Sequence, residues 1–239
     1  MKKILFIFLA IIISSAVWAQ EKQIEDANAE KREVKPFRSI RVSDGIDLYL
    51  TQSNSQVVAI SASRDEYKNR IKTEVEDGVL KIYYDHESFS DWSSSNKKLK
   101  VYISFVTLDK LTAVAGSDVV VEGIIKEELL SLYLNSGASF KGNVEAGKLI
   151  VEIESGAKME LTGFANTFNV SANSGAYVDA FSFAANKADV RSATGAKIEV
   201  HVKDELKLYS SSGGRIYYKG EAVIKDIETK IGSIIRKKD

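Results

Sequence analysis

The sequence predicts an all-β protein, a parallel β-helix (solenoid) preceded by a less regular β-rich N-terminal part. Three observations predict this fold. A glycine-centred motif recurs through the second half, apolar and polar residues alternate on both sides of each glycine, and the in–out register is the same in every repeat. The motif recurs about every twenty residues, and such a period is typical of proteins that stack short units into a cylinder.

The N-terminus has the parts of an export signal. Lys2 and Lys3 precede an uncharged apolar run from Ile4 to Ile13, and small residues follow up to Ala19. A basic start, a short apolar stretch and a small residue at the exit are typical of a secretory signal peptide, which we place at residues 1–19. The alternative is an uncleaved anchor, although the run is shorter than the roughly 20 residues of a membrane span. We therefore expect an exported protein, located in the periplasm, on the outer surface or in the medium.

Composition excludes two classes of protein. The 33 basic and 33 acidic side chains balance, and no basic cluster offers an electrostatic footprint for nucleic acid. The chain has no cysteine, so neither a disulfide nor a thiol-linked lipid is expected. A hydrophobic core must hold the mature chain together.

The segment between the signal and the fold is charged and poor in apolar residues. We predict that residues 20–33 form a flexible leader that ends before Pro36, the only proline. Residues 34–110 then form the less regular β-rich part. We place a boundary near Lys110, the alternative being that this part continues the same solenoid with decorations.

Three elements are predicted within the N-terminal part. The segment from Ser63 to Ile71 is consistent with a short helical turn, and Leu99 to Phe105 with a strand. Alternation from Thr73 to Tyr84 around Asp77-Gly78 predicts a tight β-hairpin, because Asp-Gly favours the turn that joins two strands directly.

The repeats occupy residues 111–235. Successive motif glycines are 21, 19, 19, 20 and 18 residues apart. The motifs are Ala115-Gly116-Ser117, Ser136-Gly137-Ala138, Ser155-Gly156-Ala157, Ser174-Gly175-Ala176, Thr194-Gly195-Ala196 and Ser212-Gly213-Gly214. Period-two alternation on both sides of each glycine predicts a short strand, a corner and another short strand, with one face inward. Glycine suits such a corner because it adopts a positive φ without a Cβ clash.

A β-sandwich of regularly spaced hairpins is the competing architecture. It does not account for one shared corner motif in constant register, so the parallel β-helix is favoured. Variation in repeat length falls on one edge of the repeat, as expected for a solenoid with a variable third side. Ile224 to Ile235 reads as an incomplete last turn, and residues 236–239 as a charged tail that discourages end-to-end strand addition.

The export signal, the repeats and one further segment together resemble a known family. The segment is Phe37-x-x-Ile40-x-Val42-x-Asp44-Gly45-Ile46-Asp47-Leu48. With the Ser-Gly-Ala turns it resembles the bacterial head GIN domain family of auto-transporter adhesin-like proteins over about residues 34–220. Asp47 stands where the family typically has asparagine. The resemblance implies a right-handed β-helix with a surface or adhesive role, and it implies no catalytic residues.

Motifs for catalysis or cofactors are not found in the sequence. His86 and His201 are the only histidines, and a zinc site needs three or four converging ligands. The Ser-Gly motifs lack the flanking glycine and partner histidine of a serine nucleophile, and no phosphate-binding glycine loop occurs. We therefore predict no catalytic residue, no metal site and no cofactor.

One acidic row leaves two interpretations open. Glu160, Asp179 and Glu199 each follow a motif glycine by four residues, so the register stacks them in one outward row. Three carboxylates in a row could bind calcium through oxygen ligands. A neighbouring row of Lys158, Tyr177, Lys197 and Arg215 instead favours a ladder of exposed ion pairs.

The segment from Asp85 to Asn96 contains the predicted ligand contacts. Phe89 and Trp92 lie there among serines, a composition that suits sugar stacking or a protein partner. The alternative is that both rings fold back and cover a face of the solenoid.

These observations lead to a ranked set of functions. The first is a non-catalytic, adhesin-like module of the cell envelope that binds glycan or protein on a rigid β-helical surface. A self-associating structural envelope protein is the second, and a carbohydrate-active β-helix enzyme the third. The expected partner is an envelope glycan or protein rather than nucleic acid. No membrane-spanning segment is expected after signal cleavage, and the oligomeric state is open.

Overall fold

The structure is a computed structural model that describes residues 26–86 and 96–238. One 16-stranded sheet winds into a parallel β-solenoid of about seven turns, which confirms the predicted fold class. Its elements, in chain order, are β1 (Glu30–Arg32), β2 (Ser39–Val42), β3 (Asp47–Gln52), β4 (Val57–Ser61), α1 (Asp65–Asn69), β5 (Ile71–Glu76), β6 (Val79–Tyr84), β7 (Lys100–Phe105), β8 (Lys110–Ala113), β9 (Asp118–Leu134), β10 (Ser139–Ile153), β11 (Lys158–Ala172), β12 (Tyr177–Ser192), β13 (Lys197–Ser210), β14 (Arg215–Lys219), β15 (Val223–Thr229) and β16 (Ile234–Lys237). Within the described residues, no helix is long and apolar enough to cross a membrane.

The repeats stack in parallel, in the predicted register. Phe140 of β10 pairs with Met159 of β11, and Leu149 with Phe168. All four side chains are buried. The parallel pairing excludes the β-sandwich, in which neighbouring strands would run antiparallel.

The strands are longer than the sequence suggested. Each of β9 to β13 spans 14 to 17 residues and bends, so that its start lies on one side of the solenoid and its end on another. Register shifts mark the bend, for example between Glu160 and Gly163 of β11. Backbone pairing continues through the bend because these irregularities absorb the differences in repeat length.

The corners are β-turns in which two residues, not one, have a positive φ. In the corner after β9, Ser136 has a φ of 53° and Gly137 of 73°. The N–H of Ala138 donates to the carbonyl of Asn135 at 3.2 Å, which closes the turn. The N–H of Gly137 donates to the carbonyl of Ser155 in the next corner at 3.1 Å. The corners are therefore a hydrogen-bonded ladder of their own, and small residues suit their first position because a bulky side chain disfavours this conformation.

The N-terminal part contains the predicted elements. β5 and β6 form an antiparallel hairpin around Asp77-Gly78, both with positive φ. The helix α1 and the strand β7 also lie where the sequence placed them. β2 stacks in parallel on β8, and β3 on β9. The sheet and the apolar core thus run without interruption across Lys110. This arrangement favours the interpretation that the N-terminal part continues the same solenoid with decorations.

Two predicted segment boundaries need correction. Residues 30–32 were expected in the flexible leader but form β1, which pairs antiparallel with β4 because the edge of β4 offers free backbone groups. Arg236 and Lys237 were expected in a charged tail but belong to β16, which pairs with β14. Asp239 and residues 1–25, including the predicted signal peptide, lie outside the described residues.

Candidate binding face

One side of the solenoid presents a continuous outward surface, here called the first face. It is formed by β7, β3, the starts of β9 to β13, and β14, with buried residues such as Phe140 and Met159 fixing its backbone from inside. The parallel register places its outward side chains in two rows. Row one contains Lys100, Asp47, Asp118, Ser139, Lys158, Tyr177, Lys197 and Arg215; row two contains Tyr102, Tyr49, Val120, Lys141, Glu160, Asp179, Glu199 and Tyr217.

The acidic row lies in row two as predicted. Glu160 pairs with Asp179, and Asp179 with Glu199, on adjacent turns. Lys141 Nζ lies 2.8 Å from Glu160 Oε2. Among the residues that the structure describes, no three Asp, Glu or His side chains come together in a way that could hold a metal ion. The ion pair between Lys141 and Glu160 supports the ion-pair interpretation of this row.

Glu199 is held more firmly than the other two carboxylates. Lys197 Nζ lies 2.9 Å from Glu199 Oε1, and the hydroxyl of Tyr177 donates to Glu199 Oε2. The Lys197 ammonium also lies 4.8 Å from the ring centroid of Tyr177 and 5.6 Å from that of Tyr217. Burial raises the pKa of Tyr177, and the hydrogen bond to Glu199 adds to that effect. The polar side chains at this end of the first face are thus paired with one another.

The other end of the first face carries a pair of stacked tyrosines. The ring centroids of Tyr49 and Tyr102 are 5.1 Å apart, with 18° between the ring planes. The hydroxyl of Tyr102 donates to Asp26 Oδ2 at 2.9 Å, which fixes the outer ring. Burial raises the pKa of Tyr102, and the hydrogen bond to Asp26 acts in the same direction. The result is a rigid aromatic platform on the surface of the sheet.

A shallow depression of about 440 Å³ adjoins this platform. The polar side chains in its lining are Asp47, Tyr49, Asp118, Ser139, Lys141, Lys158 and Glu160. Carboxylates, ammonium groups and a hydroxyl therefore surround the edge of an aromatic ring. This combination can accept and donate hydrogen bonds to a polar ligand while the ring packs against its apolar surface.

The carboxyl of Asp47 in the depression has a perturbed pKa. Burial raises its pKa, and the neighbouring negative charge of Asp118 raises it further, while Lys100 acts in the opposite direction. Asp118 itself accepts a hydrogen bond from the hydroxyl of Ser139. Two acids thus lie side by side in row one, the first of them partly withdrawn from water.

The predicted ligand contacts, Phe89 and Trp92, lie outside the described residues. The described residues that flank their segment are held in place. Ser63 Oγ donates to the carbonyl of Asn96 at 2.8 Å, and Lys97 Nζ lies 4.4 Å from the ring centroid of Tyr84. The segment thus joins the end of β6 to the start of β7, whose first residues belong to the first face. A ligand contact through Phe89 and Trp92 stays a prediction.

The two histidines are on different parts of the molecule. His86 follows β6, and its ring lies 5.0 Å from that of Tyr84. His201 lies on β13 and is paired with Lys219 of β14. Burial lowers the pKa of His201, and the nearby Lys219 and Lys203 lower it further.

Sequence reasoning missed the tyrosine platform. Tyr102 is an outward residue of the predicted strand from Leu99 to Phe105 and Tyr49 is an outward residue of β3, but the two are far apart in sequence and belong to an irregular part of the chain. Their contact depends on β7 pairing in parallel with β3 after the excursion through β4, β5 and β6. The available signal was the outward position of each tyrosine in its own alternating strand.

Comparison with known proteins agrees with this architecture. A family model described as "Putative auto-transporter adhesin, head GIN domain" matches residues 36–222. No curated protein matches the chain.

Several solved structures share the fold. A "putative adhesin" from Bacteroides fragilis has a TM-score of 0.80 at 21% identity, with 88% of this chain and 96% of that chain covered. A "putative lipid binding protein" from Parabacteroides distasonis has a TM-score of 0.69 at 19% identity, with 90% and 98% covered. A "putative adhesin" from Parabacteroides merdae has a TM-score of 0.67 at 18% identity, with 88% and 95% covered. At such identities the likeness establishes a common fold.

Proposed function

The chain belongs to the head GIN domain family, and we propose that it is a non-catalytic, exported module of the cell envelope that binds a glycan or protein on the first face. The family and the names of its structural neighbours point to adhesion. The site we propose is the depression beside Tyr49 and Tyr102.

The tyrosine platform is the observation that carries this proposal. A sugar ring has apolar C–H surfaces and polar edges, so it suits an aromatic ring surrounded by hydrogen-bonding groups. Tyr49 supplies the ring, Asp47 supplies an acceptor and Lys158 a donor, while Lys141 and Glu160 of the same lining are paired with each other. These features favour a glycan over a protein as the first ligand to test.

Rigidity also supports binding on this face. The backbone of the first face is paired on both sides through β3, β9 and β10, and Tyr102 is fixed by Asp26. Side chains that are already ordered lose little conformational entropy when a ligand binds. The interior of the solenoid is filled with aliphatic and aromatic side chains, so the outward surface is the part open to a ligand.

A carbohydrate-active enzyme is a weaker interpretation of the same surface. Glycoside hydrolysis generally needs two carboxyl groups that face each other across the bond to be cleaved. In row two, Glu160 is paired with Lys141, and Glu199 with Lys197 and Tyr177. Binding without turnover is therefore the function that these contacts favour.

Binding can be tested with the mature chain on an array of bacterial and host polysaccharides. We expect a polysaccharide to bind, and Tyr49→Ala to weaken that binding by at least about tenfold, because the platform loses its inner ring. Lys158→Glu should weaken it as well, through loss of a donor. Affinity is measured by calorimetry or biolayer interferometry.

The matched control is Tyr133→Ala, since Tyr133 is an outward tyrosine of β9 on another side of the solenoid. Thermal melting of each variant shows that the fold is retained. Unchanged affinity in both Tyr49→Ala and Lys158→Glu, or equal loss in Tyr133→Ala, contradicts the proposed site.

A further inference from the structure

The C-terminal end of the solenoid is open. The register places Ile224 and Ile227 of β15 next to Leu206 and Leu208 of β13. The two leucines are fully buried, whereas Ile224 is 39% exposed and Ile227 53% exposed. Both isoleucines occupy positions that face the core in every earlier turn, and they are exposed because no further turn covers them in the described structure.

The backbone at this end is also open. In the described part of the chain, β15 pairs only with β13, and β16 only with β14, so one edge of each strand is free. An unpaired edge beside an apolar surface is a site for strand addition. The match to the family ends at residue 222, so both strands lie beyond the matched region.

The N-terminal end is closed by different means. β4 pairs antiparallel with β7, and the three-residue strand β1 covers the edge of β4. On the other side, β5 pairs antiparallel with β6 and carries Lys72, Glu74 and Glu76. Short, charged, antiparallel edges discourage further stacking. Head-to-tail growth of a filament is therefore disfavoured, and the open end is left to meet a second open end.

The charges of the two free strands are opposite. β15 carries one lysine together with Asp226 and Glu228, while β16 carries Arg236 and Lys237 and no acid. A β-turn at Gly232 reverses the chain between them, so the strands lie on different sides and run in opposite directions. The charged tail was expected to discourage end-to-end strand addition. Its charges repel a strand of the same kind, β15 against β15 or β16 against β16. They attract the other strand, so β15 and β16 of two copies can pair.

We propose that two copies of this chain join end to end through β15 and β16. A two-fold axis parallel to the strands places β15 of each copy against β16 of the other, in antiparallel pairing. This arrangement covers Ile224 and Ile227, satisfies the free edges and brings acidic strands against basic ones. The association closes at two copies, because both C-terminal ends are then used. The two first faces point in opposite directions, so the dimer presents two separated binding surfaces.

The first test is the molar mass of the mature chain, measured by light scattering after gel filtration over a wide range of concentrations. We expect a dimer that dissociates on dilution. Ile227→Lys should raise the dissociation constant by at least about tenfold, because a charge replaces an apolar contact at the joint. Ile227 is exposed in the single chain, so the variant is expected to fold. Val106→Lys is the matched control, since Val106 is 44% exposed and belongs to the N-terminal part.

The second test uses charge reversal to distinguish pairing of β15 with β16 from pairing of β15 with β15. Glu228→Lys alone and Arg236→Glu alone should each weaken the dimer, and the two together should restore it. Pairing of β15 with β15 predicts instead that Glu228→Lys strengthens the dimer, because the change removes repulsion between two acidic strands. A monomer at every concentration, species larger than a dimer, or no rescue by the double variant overturns the proposal. These outcomes do not depend on ligand binding, so they leave the proposed function to its own test.

Discussion

Asp47 shows how the first face constrains a single residue. Its carboxyl is partly withdrawn from water beside Asp118, and both effects raise its pKa above the usual 3.8. The protonated form is therefore favoured more in the folded chain than in the unfolded chain. The stability that protonation of Asp47 confers is fully present below the pKa that this carboxyl has in the unfolded chain. It is lost as the pH rises through the higher pKa of the folded chain.

We therefore expect Asp47→Asn to raise the thermal midpoint at neutral pH, because the amide avoids burying a charge. The gain should shrink as pH falls below about 4, where the carboxyl of the wild type is also neutral. Asp204→Asn, at an exposed position of β13, is the control and should leave the midpoint unchanged. A gain for Asp47→Asn that is independent of pH would contradict the assignment. The measurement is a series of thermal melts from acid to neutral pH.

At the scale of the element, the long strands depend on glycines of two kinds. Gly156 occupies a corner with a φ of 72°, and an added Cβ would meet no atom within 4 Å. Gly163 lies at the bend of β11 with a φ of 112°, and an added Cβ would lie 2.2 Å from the carbonyl oxygen of Val144 on the turn below. The first glycine is needed for conformation alone, and the second also for close approach of adjacent turns.

This difference predicts an order of stability. Gly156→Ala should cost about 1–2 kcal/mol of unfolding free energy, the strain of a left-handed residue. Gly163→Ala should cost more than about 3 kcal/mol, because the backbone of the bend must also move. Urea unfolding of both variants provides the comparison. Equal losses would show that the bend is looser than the structure indicates.

At the scale of the whole molecule, the predicted signal peptide bears on where the first face is displayed. The basic start and short apolar run predict cleavage after Ala19. Mass spectrometry of the protein recovered from the envelope or medium should find a chain that begins at Gln20. Ala19→Arg should leave residues 1–19 attached, since the cleavage site needs a small residue, whereas Ser15→Ala should be processed normally. A wild-type protein that retains residues 1–19 would favour the uncleaved anchor.

The whole molecule also has two unlike ends, and this asymmetry links the proposed binding to the proposed dimer. Antiparallel strands and a short helix close the N-terminal end, while parallel strands are left open at the other. A dimer joined at the open ends would carry two first faces on opposite sides. Such an arrangement suits a protein that holds two surfaces together.

The local chemistry of the chain determined the solenoid. Six glycine corners, 18 to 21 residues apart and with alternating residues on both sides, determined that Phe140, Met159, Val178 and Ile198 lie inside the coil. The same register put Glu160, Asp179 and Glu199 in one outward row. Period and alternation are properties of neighbouring residues, so they can be read before any long-range contact is known.

Only the tertiary structure decided which residues of the irregular part come together. The contact of Tyr49 with Tyr102 depends on how the chain returns after β4, β5 and β6. The exposure of Ile227 likewise depends on the absence of a further turn over β15 in the described structure, while its sequence pattern is that of a core residue. The corners also required two residues of positive φ, which the small side chain of Ser136 permits but does not specify. In each case the outcome depends on which strand lies next to which, and this is set by packing across long sequence separations.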